Sequence, residues 1–266
     1  MIRHAGRRWE ILPGAEEIVR SRAEWGFAGL REEFADVLLK AKATRIVFPM
    51  ETEWGKVSVK ALTFDRFRVR LRSLYGRCRT RKEWENHLAA RRCGLPTVVP
   101  LALGELRTFG VTLQAVILTQ WRPAAFTVTE HRRRAPAAAE APMPRLAADI
   151  ARVTATAQSF GIYHNEIRPD NLLLEPADDA LRLLLIDWKH AHIRRRTTAR
   201  DLQNLLRTKE LFERDLLFAP PVEAETRAFL STYFEATADR PDRAALAAQL
   251  ADACPDAAWL PAELGV

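Results

Sequence analysis

Three side chains able to share one piece of chemistry stand close together in residues 161–174, GIYHNEIRPDNLLL: His164, Glu166 and Asn171. An apolar run at 181–186 then delivers a further carboxylate, Asp187. Magnesium takes oxygen ligands and keeps several waters, so the Asn171 carboxamide and the Asp187 carboxylate suffice beside phosphate oxygens. Glu166 is then free to orient a hydroxyl and take its proton. These are the parts of phosphoryl transfer, which also needs a lysine on the nucleotide phosphates and a helix carboxylate to hold that lysine. Lys60 and Glu83 are the candidates. Glu85 remains an alternative to Glu83, because a helix register read from sequence is uncertain by a residue or two.

Each residue also has a plainer use. Lys60 fits a solvated strand edge, and Glu83 fits a surface acid pairing one turn away. Asn171 can bond its own backbone in a turn, and Asp187 can cap a helix or turn. His164 is expected to brace its loop by hydrogen bonding, since the proton acceptor in such a motif is the acid. The chemical reading rests on their order along the chain.

Elements must place these groups. Residues 45–62 (RIVFPMETEWGKVSVKAL) read as two strands around a turn at Trp54-Gly55. In the second, Val57 and Val59 alternate with Ser58 and Lys60, so Lys60 points away from the valine face. A helix follows over RKEWENHLAARRC, with Trp84, Leu88 and Arg91 on one stripe and Glu83 and His87 on the next. Gly94 and Pro96 end it. VVPLALGELR and VTLQAVILTQ read as a strand pair with its exit at Gln120 to Pro123. An exposed, mobile loop is expected over the Arg-, Ala- and Pro-rich residues 129–145. Leu146, Ile150, Val153, Ala157 and Phe160 then recur at helical spacing, and Gly161 closes that helix. Two apolar runs, 172–174 and 181–186, form a hairpin, and helices complete the chain at 201–212, 222–234 and 243–253.

A chain of 266 residues can bury a substantial core. No apolar run is long enough for a spanning helix, and the N-terminal stretch lacks the apolar core of a secretory signal. Three widely spaced cysteines favour free thiols in a reducing compartment, so a cytoplasmic protein is expected. The net charge of +7 comes with arginine clusters at 67–82, 131–134 and 192–200. Such clusters suit phosphates of a nucleotide, an acidic sugar or an anionic membrane, or else simple solvated faces. No RNA-binding signature with interleaved aromatics is present, so no nucleic-acid partner is expected.

The segments VSVKAL, RLRSLYGRCRTRKEWENHLAARRCGLPTVVPLALGE, GIYHNEIRPDNLLL, LLLIDWKHAHIRRR and ARDLQNLLR together resemble the lipopolysaccharide kinase family, bacterial Kdo/heptose kinases of the inner core. The resemblance implies an α+β, two-lobed protein-kinase-like fold: a small β-rich N-terminal lobe over residues 1–121 and a mainly helical C-terminal lobe over 122–266. It implies ATP and Mg²⁺ as cofactors and a sugar hydroxyl as acceptor, reached from the cytoplasm with peripheral contact to the inner face of the inner membrane. Lys60 would contact the phosphates with Glu83 as its partner, and Gln120 and Trp121 would join the nucleotide site. Glu166 would stand where relatives carry the catalytic Asp, Asn171 and Asp187 would hold the metal, and Asp201 would brace the loop. Asp201 also fits a helix N-terminal acid favoured by the dipole.

Departures accompany the resemblance. Glu166 is one methylene longer than Asp, Asn165 replaces an arginine, Trp188-Lys189 follow Asp187 in place of Phe-Gly, and FPMETEWGK holds a single glycine. They leave open a pseudokinase acting as a nucleotide-binding scaffold, or an atypical protein or small-molecule kinase.

Overall fold

The computed structural model describes residues 1–266 except 66, 68, 69, 71–77, 135–143, 179, 215–222 and 264–266. Part of the 67–82 arginine cluster, most of the expected 129–145 loop and the start of the expected 222–234 helix lie outside the described residues. The strands are β1 (Ile2–His4), β2 (Arg7–Ile11), β3 (Lys40–Lys42), β4 (Arg45–Met50), β5 (Val57–Thr63), β6 (Pro100–Thr108), β7 (Val111–Gln120), β8 (Phe126–Thr127), β9 (Ile162–Tyr163), β10 (Leu172–Ala177), β11 (Ala180–Leu185) and β12 (His192–Ile193). The helices are α1 (Glu16–Arg20), α2 (Phe27–Glu33), α3 (Arg79–Arg92), α4 (Val128–Arg134), α5 (Pro144–Ser159), α6 (Thr198–Arg214), α7 (Glu223–Ala236), α8 (Arg243–Ala253) and α9 (Leu260–Glu263).

The chain divides into two compact units, residues 1–88 with 98–123, and residues 89–97 with 124–266. The first is built on a seven-stranded antiparallel sheet in the order β1-β2-β6-β7-β5-β4-β3. The valine face of β5 is buried with Ile46, Phe48, Val116 and Leu118, and Trp9 and Trp25 pack edge to face in the same core. A Cβ on Gly104 would lie 2.7 Å from the Trp9 ring, so only glycine lets the indole lie on β6. Against this unit α3 is held by its own side chains. Trp84 is fully buried with Leu103 and Ile117, and Arg81 bonds Glu10 Oε2 (2.5 Å) and Glu105 Oε2 (2.6 Å). Burial alone would raise the Glu10 carboxyl. Hydrogen bonds from Trp84 and Arg81, with the arginine's charge, hold it below the ordinary range instead.

The second unit is mainly helical around a core that includes α5, α7 and α8 residues such as Ile150, Phe229 and Leu246. The β10–β11 hairpin packs into that core through Leu172, Leu174, Leu183 and Leu185. Segment 89–97 joins it, with the Thr97 hydroxyl donating to the Leu185 carbonyl (2.7 Å) and accepting from Trp188 Nε1 (3.0 Å). Gly161 closes α5 at φ +68° with its Cβ position 2.1 Å from the Arg194 carbonyl oxygen, where no side chain fits. One expectation is corrected. Residues 128–134 form a helix rather than open loop, because Val128 is buried and Thr127 and Glu130 cap it reciprocally. Among the described residues, no helix is long and apolar enough to cross a membrane.

Candidate active site

In the first unit, period-2 alternation on β5 buries Val57 and Val59 and turns Lys60 to the other face. There Lys60 Nζ meets both oxygens of Glu83, at 2.7 and 2.9 Å. Glu83 itself is buried, and the Arg81 and Trp84 anchors to either side of it fix the helix register. Glu85 is an exposed helix residue. Gln120 and Trp121 lie where β7 ends beside the start of β5: Gln120 pairs with Val57, and the Lys56 ammonium sits 5.7 Å from the Trp121 ring centroid.

In the second unit the loop after β9 is tied down at nearly every position. His164 is buried edge-on to Trp188. Its Nε2 bonds the Ile186 carbonyl (3.2 Å) while its Nδ1 accepts the Glu166 N–H (3.4 Å). Burial pushes its pKa down, so the imidazole is neutral and serves as a bracket. Asn171 Nδ2 donates to the Glu166 carbonyl (2.9 Å), and the Ile186 N–H donates to the Asn171 carbonyl (3.0 Å). These bonds join Glu166, Asn171 and the strand that ends at Asp187. Asp187 has left-handed backbone (φ 62°, ψ 55°), a conformation rare outside glycine that turns the chain sharply into the next short helix. Its Oδ2 lies 2.5 Å from Lys189 Nζ, which is also 3.7 Å from Glu166 Oε2, and His190 Nε2 stands 3.4 Å from Glu166 Oε1. Glu166 and Asp187 therefore flank one cation.

Asn165, in place of an arginine, uses its whole amide. Its Nδ2 donates to the Tyr163 and His190 carbonyls, and its Oδ1 accepts from Asn204 (3.3 Å), which is bonded in turn by Gln158 (3.0 Å). Asp201 is fully buried and receives Tyr163 OH (3.0 Å), Arg196 Nε (3.0 Å) and Arg240 Nη2 (2.7 Å). Burial and the Asp201 charge push the Tyr163 phenol up to about 12, so it stays a donor. Asp201 also lies in the first turn of α6, so both uses of this acid coexist.

The lipopolysaccharide kinase (Kdo/WaaP) family model matches residues 50–233. The chain belongs to that family. The solved structure of WaaP in complex with acyl carrier protein resembles it with a TM-score of 0.60 and 19% identity, covering 94% of this chain and 99% of that one. At that identity the likeness establishes a kinase-like fold. No curated protein sequence matches.

Within this lipopolysaccharide kinase fold, some supports of the site carry no short-range signal in the sequence. Glu10 and Glu105 reach Arg81 across 71 and 24 residues, and Arg240 reaches Asp201 across 39. Lys189 and His190 had one visible sign, the replacement of Phe-Gly after Asp187. Arg240→Met should cost about 3 kcal/mol, because it strips one partner from the buried Asp201 carboxylate and leaves the charge underpaired. Denaturant unfolding measures it, and a cost below about 1 kcal/mol would mean that Arg196 and Tyr163 suffice.

Proposed function

We propose that the chain is an ATP- and Mg²⁺-dependent kinase that phosphorylates a sugar hydroxyl of the lipopolysaccharide inner core or a related glycan. It would act from the cytoplasm against the inner face of the inner membrane. The observation that carries this reading is the convergence of the Glu166 and Asp187 carboxylates on the Lys189 ammonium, with Asn171 bonded to the same loop.

The donor set fits magnesium. Asn171 spends its amide nitrogen on the Glu166 carbonyl, so its oxygen is the atom left for a metal. Asp187 offers a carboxylate already drawn to a positive charge. When bound, the ion would neutralise charge on the phosphates. Lys60, steadied by Glu83, would hold nucleotide phosphate oxygens, with Gln120 and Trp121 contributing to the nucleotide site. Glu166, held between Lys189 and His190, would orient the acceptor hydroxyl and take its proton. The extra methylene of Glu166 moves the carboxylate outward by about one C–C bond, and the Lys189 ammonium and His190 ring beside it give that longer arm a fixed place.

Lys60 and Glu83 are both largely buried, so Lys60→Ala alone would strand a carboxylate and confuse stability with function. The double variant Lys60→Met/Glu83→Gln removes both charges and keeps the volume. It should melt near the parent temperature while its Mg²⁺-ATP affinity falls at least about tenfold, the scale of one lost charge-assisted contact. Calorimetric titration checks this, and unchanged affinity would remove Lys60 from the nucleotide site.

Incubating the purified protein with γ-labelled ATP and a panel of lipid A–core fragments, free sugars and proteins tests the function itself. Label is expected on the core fragments. Label on protein would favour the atypical-kinase alternative, and nucleotide binding without transfer to any member would favour the pseudokinase.

A further inference from the structure

We infer that one end of the seven-stranded sheet is a membrane-docking edge, with Phe109 as the inserted side chain and an anionic phospholipid bilayer as the partner. The inference deepens the peripheral-membrane part of the proposed function and rests on it. The register places the edge. Thr108 pairs with Val111, closing the β6–β7 hairpin with only Phe109 and Gly110 at its tip. On the neighbouring strand, β5 ends at Thr63 opposite Gln114, so the hairpin runs on about three residues past it, roughly 10 Å at strand rise. The same end carries the β3–β4 turn, where Lys42 pairs with Arg45 and Arg45 with Leu62.

Local rules do not account for Phe109. Both tip residues have positive φ, 48° and 81°, which marks the type I′ turn that favours Asn, Asp or Gly at the first position. A phenylalanine there adopts a backbone conformation uncommon for bulky residues, and its side chain gains nothing from the fold, being 97% exposed. Phe67, four residues beyond the end of β5, is 73% exposed. Arg107 is exposed and donates to the Gly110 carbonyl at the tip (2.6 Å); along the same edge Lys42 is exposed and Arg45 half-buried, and two acids are there as well, Asp65, bonded by the Thr63 hydroxyl, and Glu24, beside Gly26. An exposed aromatic at a projecting tip, with Arg107 next to it and further cations along the edge, matches the chemistry of an anionic headgroup layer over acyl chains. A nucleic acid would answer the charge and could stack on the ring, so RNA binding is one outcome of the test below. A glycolipid acceptor lies in the same bilayer, so the edge would bring enzyme and acceptor into one plane.

The test needs neither ATP nor acceptor. The full chain is sedimented with vesicles of phosphatidylethanolamine and phosphatidylglycerol, and with phosphatidylcholine vesicles as the neutral control. The wild type should bind the anionic vesicles, and less so as salt rises. Phe109→Asn should weaken binding about tenfold, the worth of burying one phenylalanine side chain, and Arg107→Gln about fivefold. Because Asn suits the turn, Phe109→Asn should keep or raise the melting temperature, so lost binding cannot be misfolding. Two results would overturn the inference: wild type that ignores anionic vesicles, or Phe109→Asn that binds them as wild type does. Tighter binding of both proteins to duplex RNA than to vesicles would also overturn it, by assigning the cations to nucleic acid. Phosphorylation of a water-soluble core fragment by Phe109→Asn should match the wild type, which separates this edge from the kinase reading whatever the vesicles show.

Discussion

Asp187→Ala should lower Mg²⁺-dependent phosphoryl transfer by at least about a thousandfold while the fold survives. Two effects add. The substitution removes a carboxylate proposed to hold the metal, and positioned charge of this kind is worth about a hundred- to a thousandfold in a water-excluded site. It also leaves Lys189 facing the Glu166 carboxylate, so the ammonium is pulled toward the proposed base and blocks it. Stability should change less than activity, because Asp187 and Lys189 both retain some solvent exposure and exchange their ion pair for water. Mg²⁺-ATP titration and turnover are the two readouts. A variant with undiminished affinity and turnover would reduce Asp187 to a turn residue with local bonding duties.

Glu166 gives the second large effect. Glu166→Gln keeps the shape and loses the proton acceptor, and general-base catalysis contributes about a hundred- to ten-thousandfold. A loss of at least a hundredfold is expected. Glu166→Asp should not recover the wild-type rate. It withdraws the carboxylate from Lys189 and His190 by about a C–C bond, and misplacement on the ~1 Å scale costs about a hundredfold. If the longer side chain were instead a relic, Glu166→Gln would change nothing and Glu166→Asp would raise the rate. Rates of the three proteins on one acceptor separate the cases.

Much of this site was legible because its signals are local. Alternation over Val57, Val59 and Lys60 gives the strand and the lysine's face, and the Trp84/Leu88 stripe gives the helix. The interval from His164 to Asn171 gives the loop. What stayed hidden depends on partners far apart in sequence. β1 to β3 are three to five residues long and two of them carry several charges, so their pattern is too short to read until β2 pairs with β6. The choice of Glu83 over Glu85 needed the helix register, which Arg81 sets by reaching Glu10 and Glu105. The chain from Gln158 through Asn204 to Asn165 joins polar residues that, taken singly, read as surface groups. Residues 128–134 read as loop because arginines dominate them, while the buried Val128 and the Thr127–Glu130 cap that make them helical are single residues.

The most direct measurement is the product itself. Lipid A–core acceptor would be incubated with Mg²⁺-ATP and either the wild type or Asp187→Ala, and the glycan examined by mass spectrometry and phosphorus NMR. The account requires one added phosphate ester on a core sugar with the wild type and none with Asp187→Ala. Unmodified acceptor after prolonged incubation with folded, ATP-binding wild type, or equal phosphorylation by both proteins, would contradict it.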